Sequence, residues 1–509
     1  MLFHVLFSLA LFIFALGLVA AQTSQIRINQ LHRRLVDQSH RSNLDQAPPE
    51  EYYFDQLVDH FSTLDNRTFK NRYYLSTQFY KQGGPVYLYN AGEGTLQPWA
   101  LEGHLAELAK LTKGAIVAME HRYYGKSIPV PDFSTENMRF LSVRQALADM
   151  AYFIQKTNFI QGIGDLPIGV KWIDVGGSYP GNLAAWMRET YPSLVYAAYS
   201  SSAPVKAKRN FYEYDQAVGA ALNPVCSEAM QLAIQYIDEV LTRNDTEQIK
   251  TLKSWFGLDI VRDNVDFASA LSDAPSYLVQ YGNVNSTSRL CGNLTNNGTI
   301  DMNMFSSNEA NKTELAIGIV QRFGKYQQIY MKENEIDASS YNGGNNSIKI
   351  EDNKGGSRQW FYQTCTEFGY WQTAPPAPMK RWRSKFITVA YYENGCRDTF
   401  GTLDMPRIPN VDYINTVYKG QSIHTSRIVY VNGEIDPWRR LSVSAEPDSP
   451  APPRNPNSPT EPMFVVKGGS HCTDLGGYRP TNSASLNETR IKVDEAIVRW
   501  LSDTVARRH

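Results

Sequence analysis

The sequence is poor in several features that would place it in well-known classes. It has five cysteines among 509 residues (Cys226, Cys291, Cys365, Cys396 and Cys472), too few for a disulfide-dense scaffold. Their spacing fits no zinc motif, so neither a metal site nor any other cofactor is expected. Charge of one sign is also missing. The formal net charge is -1, Lys and Arg are scattered, and no basic stripe runs along any predicted helix. That excludes the electrostatic footprint of a nucleic-acid or anionic-membrane partner. Beyond the N-terminus no apolar run is long enough to span a bilayer. Core-forming residues are not scarce: 42% are apolar and 12% aromatic, which argues against global disorder.

The N-terminus carries a long apolar run. Met1 to Ala21 ends in Val19-Ala20-Ala21, the small residues a signal peptidase reads. A membrane anchor is the competing reading of that run, and its lack of Lys or Arg weakens the signal reading slightly. Eight Asn-x-Ser/Thr acceptors agree with secretion: Asn66, Asn244, Asn285, Asn293, Asn297, Asn311, Asn345 and Asn487. They concentrate between Asn244 and Asn345. The expected location is extracellular, with a vacuole or lysosome as the alternative, and no stable membrane anchor remains after signal cleavage. In an oxidising compartment five cysteines give two disulfides and one free thiol in the simplest case.

The chain is longer than one ordinary domain needs. Residues 22–51 are polar and aperiodic, and contain His32-Arg33-Arg34. They read as a pro-segment cut after Arg34 or as an arm. From 52 to 204 short apolar strands alternate with helical patterns: Pro85–Tyr89, Ala115–Met119 and Ile168–Val175 read as strands, Gln145–Asn158 and Leu183–Tyr191 as helices. This alternation predicts an α/β domain with a mainly parallel sheet. From 205 to 410 helix-like stretches such as Glu228–Arg243 alternate with Asn/Gly/Ser-rich loops, which predicts an inserted, mainly helical domain. From 411 to 509 the first texture returns, with strands at Arg427–Val431 and Met463–Val466 and a closing helix at Ile491–Leu501. Ala445 to Pro462 contains seven prolines and reads as loop.

The chemistry is concentrated in three places. Gly176-Gly177-Ser178-Tyr179-Pro180-Gly181 contains G-x-S-x-G between a predicted strand and a predicted helix, the context of a nucleophile elbow. The turn is sharp enough to demand small flanking residues and lifts the Ser178 hydroxyl above the sheet. The Tyr179 N–H then points at a developing oxyanion. Where a nucleophile elbow works with an acid and a histidine, they follow in that chain order. Of His424, His471 and His509, only His471 follows a strand that itself follows a candidate acid. Asp436, in Val431-Asn-Gly-Glu-Ile-Asp-Pro-Trp438, is that acid, with Glu434 as the alternative. The 258 residues between Ser178 and Asp436 (436 minus 178) support a domain inserted between them. The loop after the strand at Pro85 should supply the second oxyanion donor, from the Glu93 or Gly94 N–H. Glu120-His121-Arg122-Tyr123-Tyr124, at a strand end, reads as a buried network supporting the elbow.

Several blocks, taken in order, resemble the prolyl carboxypeptidase and dipeptidyl peptidase II family of serine peptidases, which includes fungal acid prolyl endopeptidases. They are Asp59-His60-Phe61, Gly92-Glu93-Gly94, Glu120 to Gly125, Gly176 to Pro192, Cys365 to Gly369, Gly433 to Trp438 and Ser470-His471-Cys472. The resemblance implies an α/β-hydrolase fold with a large helical cap inserted between nucleophile and acid. It implies Ser178, Asp436 and His471 as the triad and proline-containing peptides as substrates, cut after proline and generally at acid pH. It also implies pairing of Cys365 with Cys396. Cys226 with Cys291 would pin the cap, leaving Cys472 free. Family members often dimerise. Trp438 and the cap residue Tyr370 are candidate walls of a proline pocket. Pro180 and Asn182 stand where relatives often carry a Gly and a larger apolar residue, so Asn182 is also a pocket candidate. Carboxypeptidase, dipeptidyl-peptidase and endopeptidase modes stay open. An esterase on the same fold and a non-catalytic secreted binding protein are the competing readings.

Overall fold

The computed structural model describes residues 49–503, apart from 158, 161–163, 168, 283–285, 301–308, 343–355, 402–404, 446–453, 478 and 480. The expected signal segment 1–21, residues 22–48 of the expected arm 22–51, and the acceptors Asn285 and Asn345 lie outside the described residues. Among the acceptors inside them, Asn66, Asn244, Asn297 and Asn311 are exposed, while Asn293 and Asn487 are half-buried.

By its own packing the chain divides into two compact units. Among the described residues one contains 49–207, 356–363 and 410–503, the other 208–342 and 364–409. The main sheet of the first unit has eight strands: β1 (Glu51–Leu57), β2 (Thr68–Ser76), β3 (Val86–Asn90), β4 (Ala115–Met119), β5 (Trp172–Gly177), β6 (Val195–Ser201), β7 (Ile428–Gly433) and β8 (Met463–Val466). Their order is β1-β2-β4-β3-β5-β6-β7-β8. β1, β2 and β4 pair antiparallel, and every pair from β4 to β8 is parallel. The central strands read as continuous apolar runs because both of their faces are covered. On one face Tyr87, Ile116, Ile173, Val175, Tyr199 and Val431 form a core with α1 (Gly103–Thr112) and the final helix α5 (Ala484–Ser502), which contributes Val493, Ile497 and Trp500. On the other face Trp172 meets Phe153 of α2 (Val143–Lys156). There α3 (Tyr179–Thr190) packs on β5, β6 and α2. This is the α/β-hydrolase sheet. The order reverses direction beside β3 and β5, and in open parallel sheets the crevice at such a switch point is where ligands bind.

The structure adds elements that the sequence patterns did not reveal: the β1–β2 pair, β6 and α1. It also starts β5 at Trp172, not Ile168, and α3 at Tyr179, directly after the elbow. A short helix, α4 (Ser357–Gln363), belongs to the sheet-bearing unit. The single unbroken insert expected from 205 to 410 did not separate it.

In the other unit the helix Glu309–Glu333 packs on Pro224–Arg243 and Thr246–Trp255. Phe256 stands edge-on to both Phe323 and Phe267 at its centre. The disulfides Cys226–Cys291 and Cys365–Cys396 both lie within this unit, with Cα atoms 5.1 and 5.8 Å apart. Cys472 is a free thiol.

Candidate active site

Ser178 follows the last residue of β5 and precedes the first of α3, and its backbone has φ 66° and ψ -132°. Only a strained position is left to a non-glycine residue there, and two glycines make the turn sterically feasible. A Cβ on Gly176 would lie 2.1 Å from the Pro180 carbonyl oxygen, and one on Gly181 would lie 2.6 Å from that of Ser201. The Ser178 N–H donates to Ser201 O at 2.9 Å, and its carbonyl accepts from Asn182 N–H at 3.2 Å. The side chain is half-buried. Tyr179 is the first helical residue, where an α-helix supplies no carbonyl for the N–H.

His471 sits in the loop after β8. Its Nδ1 is 2.8 Å from Oδ2 of Asp436, which follows β7. Both side chains are buried. The other Asp436 oxygen accepts the Trp438 N–H at 2.9 Å, so both carboxylate oxygens are directed by geometry. Burial alone would lower the His471 pKa. The Asp436 carboxylate outweighs it, with Cys472 adding to the effect, and holds the pKa well above the usual histidine value. Glu434, the alternative acid, is exposed and accepts the Gly468 N–H at 2.8 Å, shaping the loop instead. The Trp438 ring lies 6.5 Å from the His471 ring, tilted by 45°.

The histidine loop is pinned to the end of β6. Asp474 accepts hydrogen bonds from Tyr199 Oη at 2.5 Å and Ser201 Oγ at 2.7 Å. Burial raises its pKa even against these donors. Cys472 N–H donates to Ser202 Oγ at 2.9 Å, and Arg490 donates to the Asp474 carbonyl at 2.9 Å. No sequence pattern marked Asp474. Its place three residues after the candidate histidine was the one available signal.

The polar cluster after β4 supports the loop 92–96. Glu120 is fully buried and accepts from Leu96 N–H at 2.8 Å, Arg72 Nη2 at 2.5 Å, Ser127 Oγ at 2.7 Å and Lys126 N–H at 2.9 Å. Each of the five N–H groups of Arg122 is used: two on Asp149, and one each on the carbonyls of Leu57, Val58 and Phe140. His60 completes the Asp149 site at 2.7 Å, which joins the Asp59-His60-Phe61 block to Glu120–Gly125. Within the loop the Gly94 N–H is committed to Gly92 O at 2.8 Å.

Two of the pocket candidates belong to different units of the chain. Asn182 is fully buried within α3 and donates to the Pro204 carbonyl at 3.2 Å, so it ties the helix to the chain after β6. It sits on the buried face of a helix covered on several sides. Tyr370 belongs to the helical unit, has φ 57° and stacks on Phe368 at 5.2 Å.

Residues 56–493 match the family described as serine carboxypeptidase S28. The chain belongs to this family of serine peptidases. It is 31% identical over 473 residues to the mouse (Mus musculus) thymus-specific serine protease, covering 90% of this chain and 88% of that one. It is 30% identical over 484 residues to an Arthroderma benhamiae protein named "Probable extracellular serine carboxypeptidase", covering 86% and 65%. Among solved structures it is similar to a proline iminopeptidase from Mycobacterium smegmatis, at 12% identity and a TM-score of 0.36, covering 89% of this chain and 100% of that one. The family makes this S28 chain a peptidase acting on peptides. Among its described residues no helix is long and apolar enough to cross a membrane.

Proposed function

We propose that this S28 peptidase is secreted and cleaves on the carboxyl side of proline through an acyl-enzyme, with Ser178, His471 and Asp436 as its triad. The observations that carry the reading are the buried Asp436–His471 pair at the strand ends and a serine held in a strained elbow, whose Gly177 faces Cys472 of the histidine loop. In the deprotonated form of the ring Asp436 keeps the proton of His471 on Nδ1, which leaves Nε2 to take the Ser178 proton as Oγ attacks the carbonyl after proline. The imidazolium that forms is stabilised by the carboxylate. The Tyr179 N–H, at the start of α3, stabilises the oxyanion. Because Gly94 spends its N–H inside its own loop, Glu93 is the better second donor. His471 then protonates the leaving amine, and water releases the acyl group by the reverse steps.

The specificity for proline rests on the family and on Trp438, whose ring stands beside His471 and offers a flat apolar wall. Secretion is supported by the apolar N-terminus, two disulfides and the name of the Arthroderma relative.

The test uses purified protein and Ser178→Ala near pH 5 with three proline peptides: one with a free C-terminus after Pro-X, one with a free N-terminal X-Pro, and one blocked at both ends. Cleavage after proline by the wild type alone is expected, and the pattern names the mode. Turnover of simple esters with none of the three peptides cut would replace this reading by an esterase.

A further inference from the structure

The residue after the nucleophile carries more than a backbone donor. Tyr179 is 1% exposed, and its phenol belongs to a hydrogen-bonded series whose direction can be worked out. His121 Nδ1 lies 2.7 Å from the Arg122 carbonyl oxygen, which can only accept, so Nδ1 carries the proton. Burial holds the His121 pKa down to about 4, so the ring is neutral and its Nε2 is an acceptor. The Tyr179 hydroxyl, 3.0 Å away, must therefore donate to Nε2. Its oxygen in turn accepts from Gln363 Nε2 at 3.1 Å, and Gln363 Oε1 accepts from the Tyr124 hydroxyl at 2.6 Å. The series runs one way, from Tyr124 through Gln363 and Tyr179 to His121. The ring is also flanked by His121 at 5.5 Å and Trp360 at 5.7 Å. Gln363 itself is held, because α4 is anchored through Gln359 to the Tyr123 carbonyl at 3.0 Å and through Arg358 to that of Phe133 at 2.7 Å.

A buried hydroxyl costs free energy unless it is bonded, and a phenylalanine would fill the same volume without that requirement. We propose that His121 and Gln363 are positioning residues that fix the direction of the Tyr179 backbone N–H by gripping the Tyr179 phenol from two sides. The inference rests on the reading of Tyr179 as an oxyanion donor. It adds the residues that aim it. A donor moved without being deleted weakens transition-state binding more than ground-state binding, so the effect belongs in kcat.

The experiment measures kcat and KM separately, together with thermal stability, for wild type, Ser178→Ala, Tyr179→Phe, His121→Phe, His121→Gln and the double variant Tyr179→Phe/His121→Phe. The substrate is the proline peptide the wild type cleaves best. Tyr179→Phe is expected to lower kcat roughly 10- to 100-fold with KM nearly unchanged, in line with the cost of misplacing a catalytic group by about 1 Å. The double variant should be no slower than the slower single, because both remove the same bond. His121→Gln, whose Oε1 can accept where Nε2 did, should recover most of the rate. If His121→Phe does not fold, Gln363→Met takes its place. Wild-type kcat in folded Tyr179→Phe, or losses that multiply in the double variant, would overturn the inference. Turnover retained by Ser178→Ala would instead overturn the functional reading beneath it.

Discussion

Replacing Asp436 by asparagine changes one atom and, through the surrounding bonds, the proton on His471. Asp436 accepts twice, from His471 Nδ1–H at 2.8 Å and from Trp438 N–H at 2.9 Å. An amide has one oxygen and one NH2 group. The Trp438 N–H can only donate, so the amide oxygen must face it and the NH2 must face His471. Nδ1 then becomes an acceptor, the ring proton moves to Nε2, and the base that should take the Ser178 proton is blocked. Turning the amide over would set donor against donor at a buried site, at a cost of about 1–3 kcal/mol. That confines the productive tautomer to a small fraction of molecules, and the neutral amide no longer stabilises the imidazolium. Together these effects are expected to lower kcat about 10³- to 10⁴-fold, or about 4–5.5 kcal/mol at 1.36 kcal/mol per tenfold. KM should change little. Steady-state peptide hydrolysis gives both constants, and a thermal melt controls for folding. Glu434→Gln is the companion variant, since an exposed residue that shapes the loop should be nearly silent. A folded Asp436→Asn within tenfold of wild type would refute the reasoning, and so would a Glu434→Gln as impaired as Asp436→Asn.

Other consequences are equally direct. Burial holds the Asp174 carboxyl well above its usual pKa, with Asn90 donating to it at 2.6 Å. A raised acid is protonated when folded, so this site costs stability progressively as pH climbs above the unfolded value near 4. Asp174→Asn should match wild type in thermal melts below pH 4 and exceed it at pH 8; an unchanged difference across that range would contradict the assignment. Gly176→Ala drives a Cβ to 2.1 Å from the backbone oxygen of Pro180, whereas Gly177→Ala meets only the side-chain ends of Leu475 and Cys472 at 2.6 and 2.9 Å. The first should prevent folding to an active enzyme and the second should cost about 1–3 kcal/mol in denaturant unfolding; equal losses would be inconsistent with the elbow geometry. Glu120→Gln strips the buried partner from Arg72 and should destabilise by roughly 3–5 kcal/mol, read in urea titrations. A loss below 1 kcal/mol would show that Glu51, 2.7 Å from Arg72, is sufficient compensation.

The elbow was legible because its chemistry constrains neighbours in sequence: a sharp turn needs small residues on both sides of the serine, and a strand and helix must flank it. Central strands such as Ala115–Met119 were equally legible, since burial on both faces leaves an unbroken apolar run. β6 (Val195–Ser201) escaped because its alanines and serines carry little apolar signal, although Tyr199 and Ser201 anchor the histidine loop. β1 escaped because it begins within a polar stretch. The polar networks were beyond reach for another reason. Tyr199 and Asp474 lie 275 residues apart, and Tyr179 and Gln363 lie 184 apart, so no local period links them.

The placement of α4 bears on how the molecule is made. The chain leaves the sheet-bearing unit after residue 207, re-enters it for the segment that includes Ser357–Gln363, leaves again, and returns at 410. The helical region is therefore not a cassette that can be exchanged whole, because a swap from 208 to 409 would also carry off Gln363 and Trp360, which touch the residue after the nucleophile. On the ribosome the same route sets an order of events. The elbow is synthesised first, and its supporting glutamine emerges roughly 180 residues, or about 10–40 s, later at common elongation rates. Until then the nucleophile's neighbour lacks one side of its grip, and because Asp436 and His471 follow later still, the proposed active centre is complete only when most of the polypeptide exists.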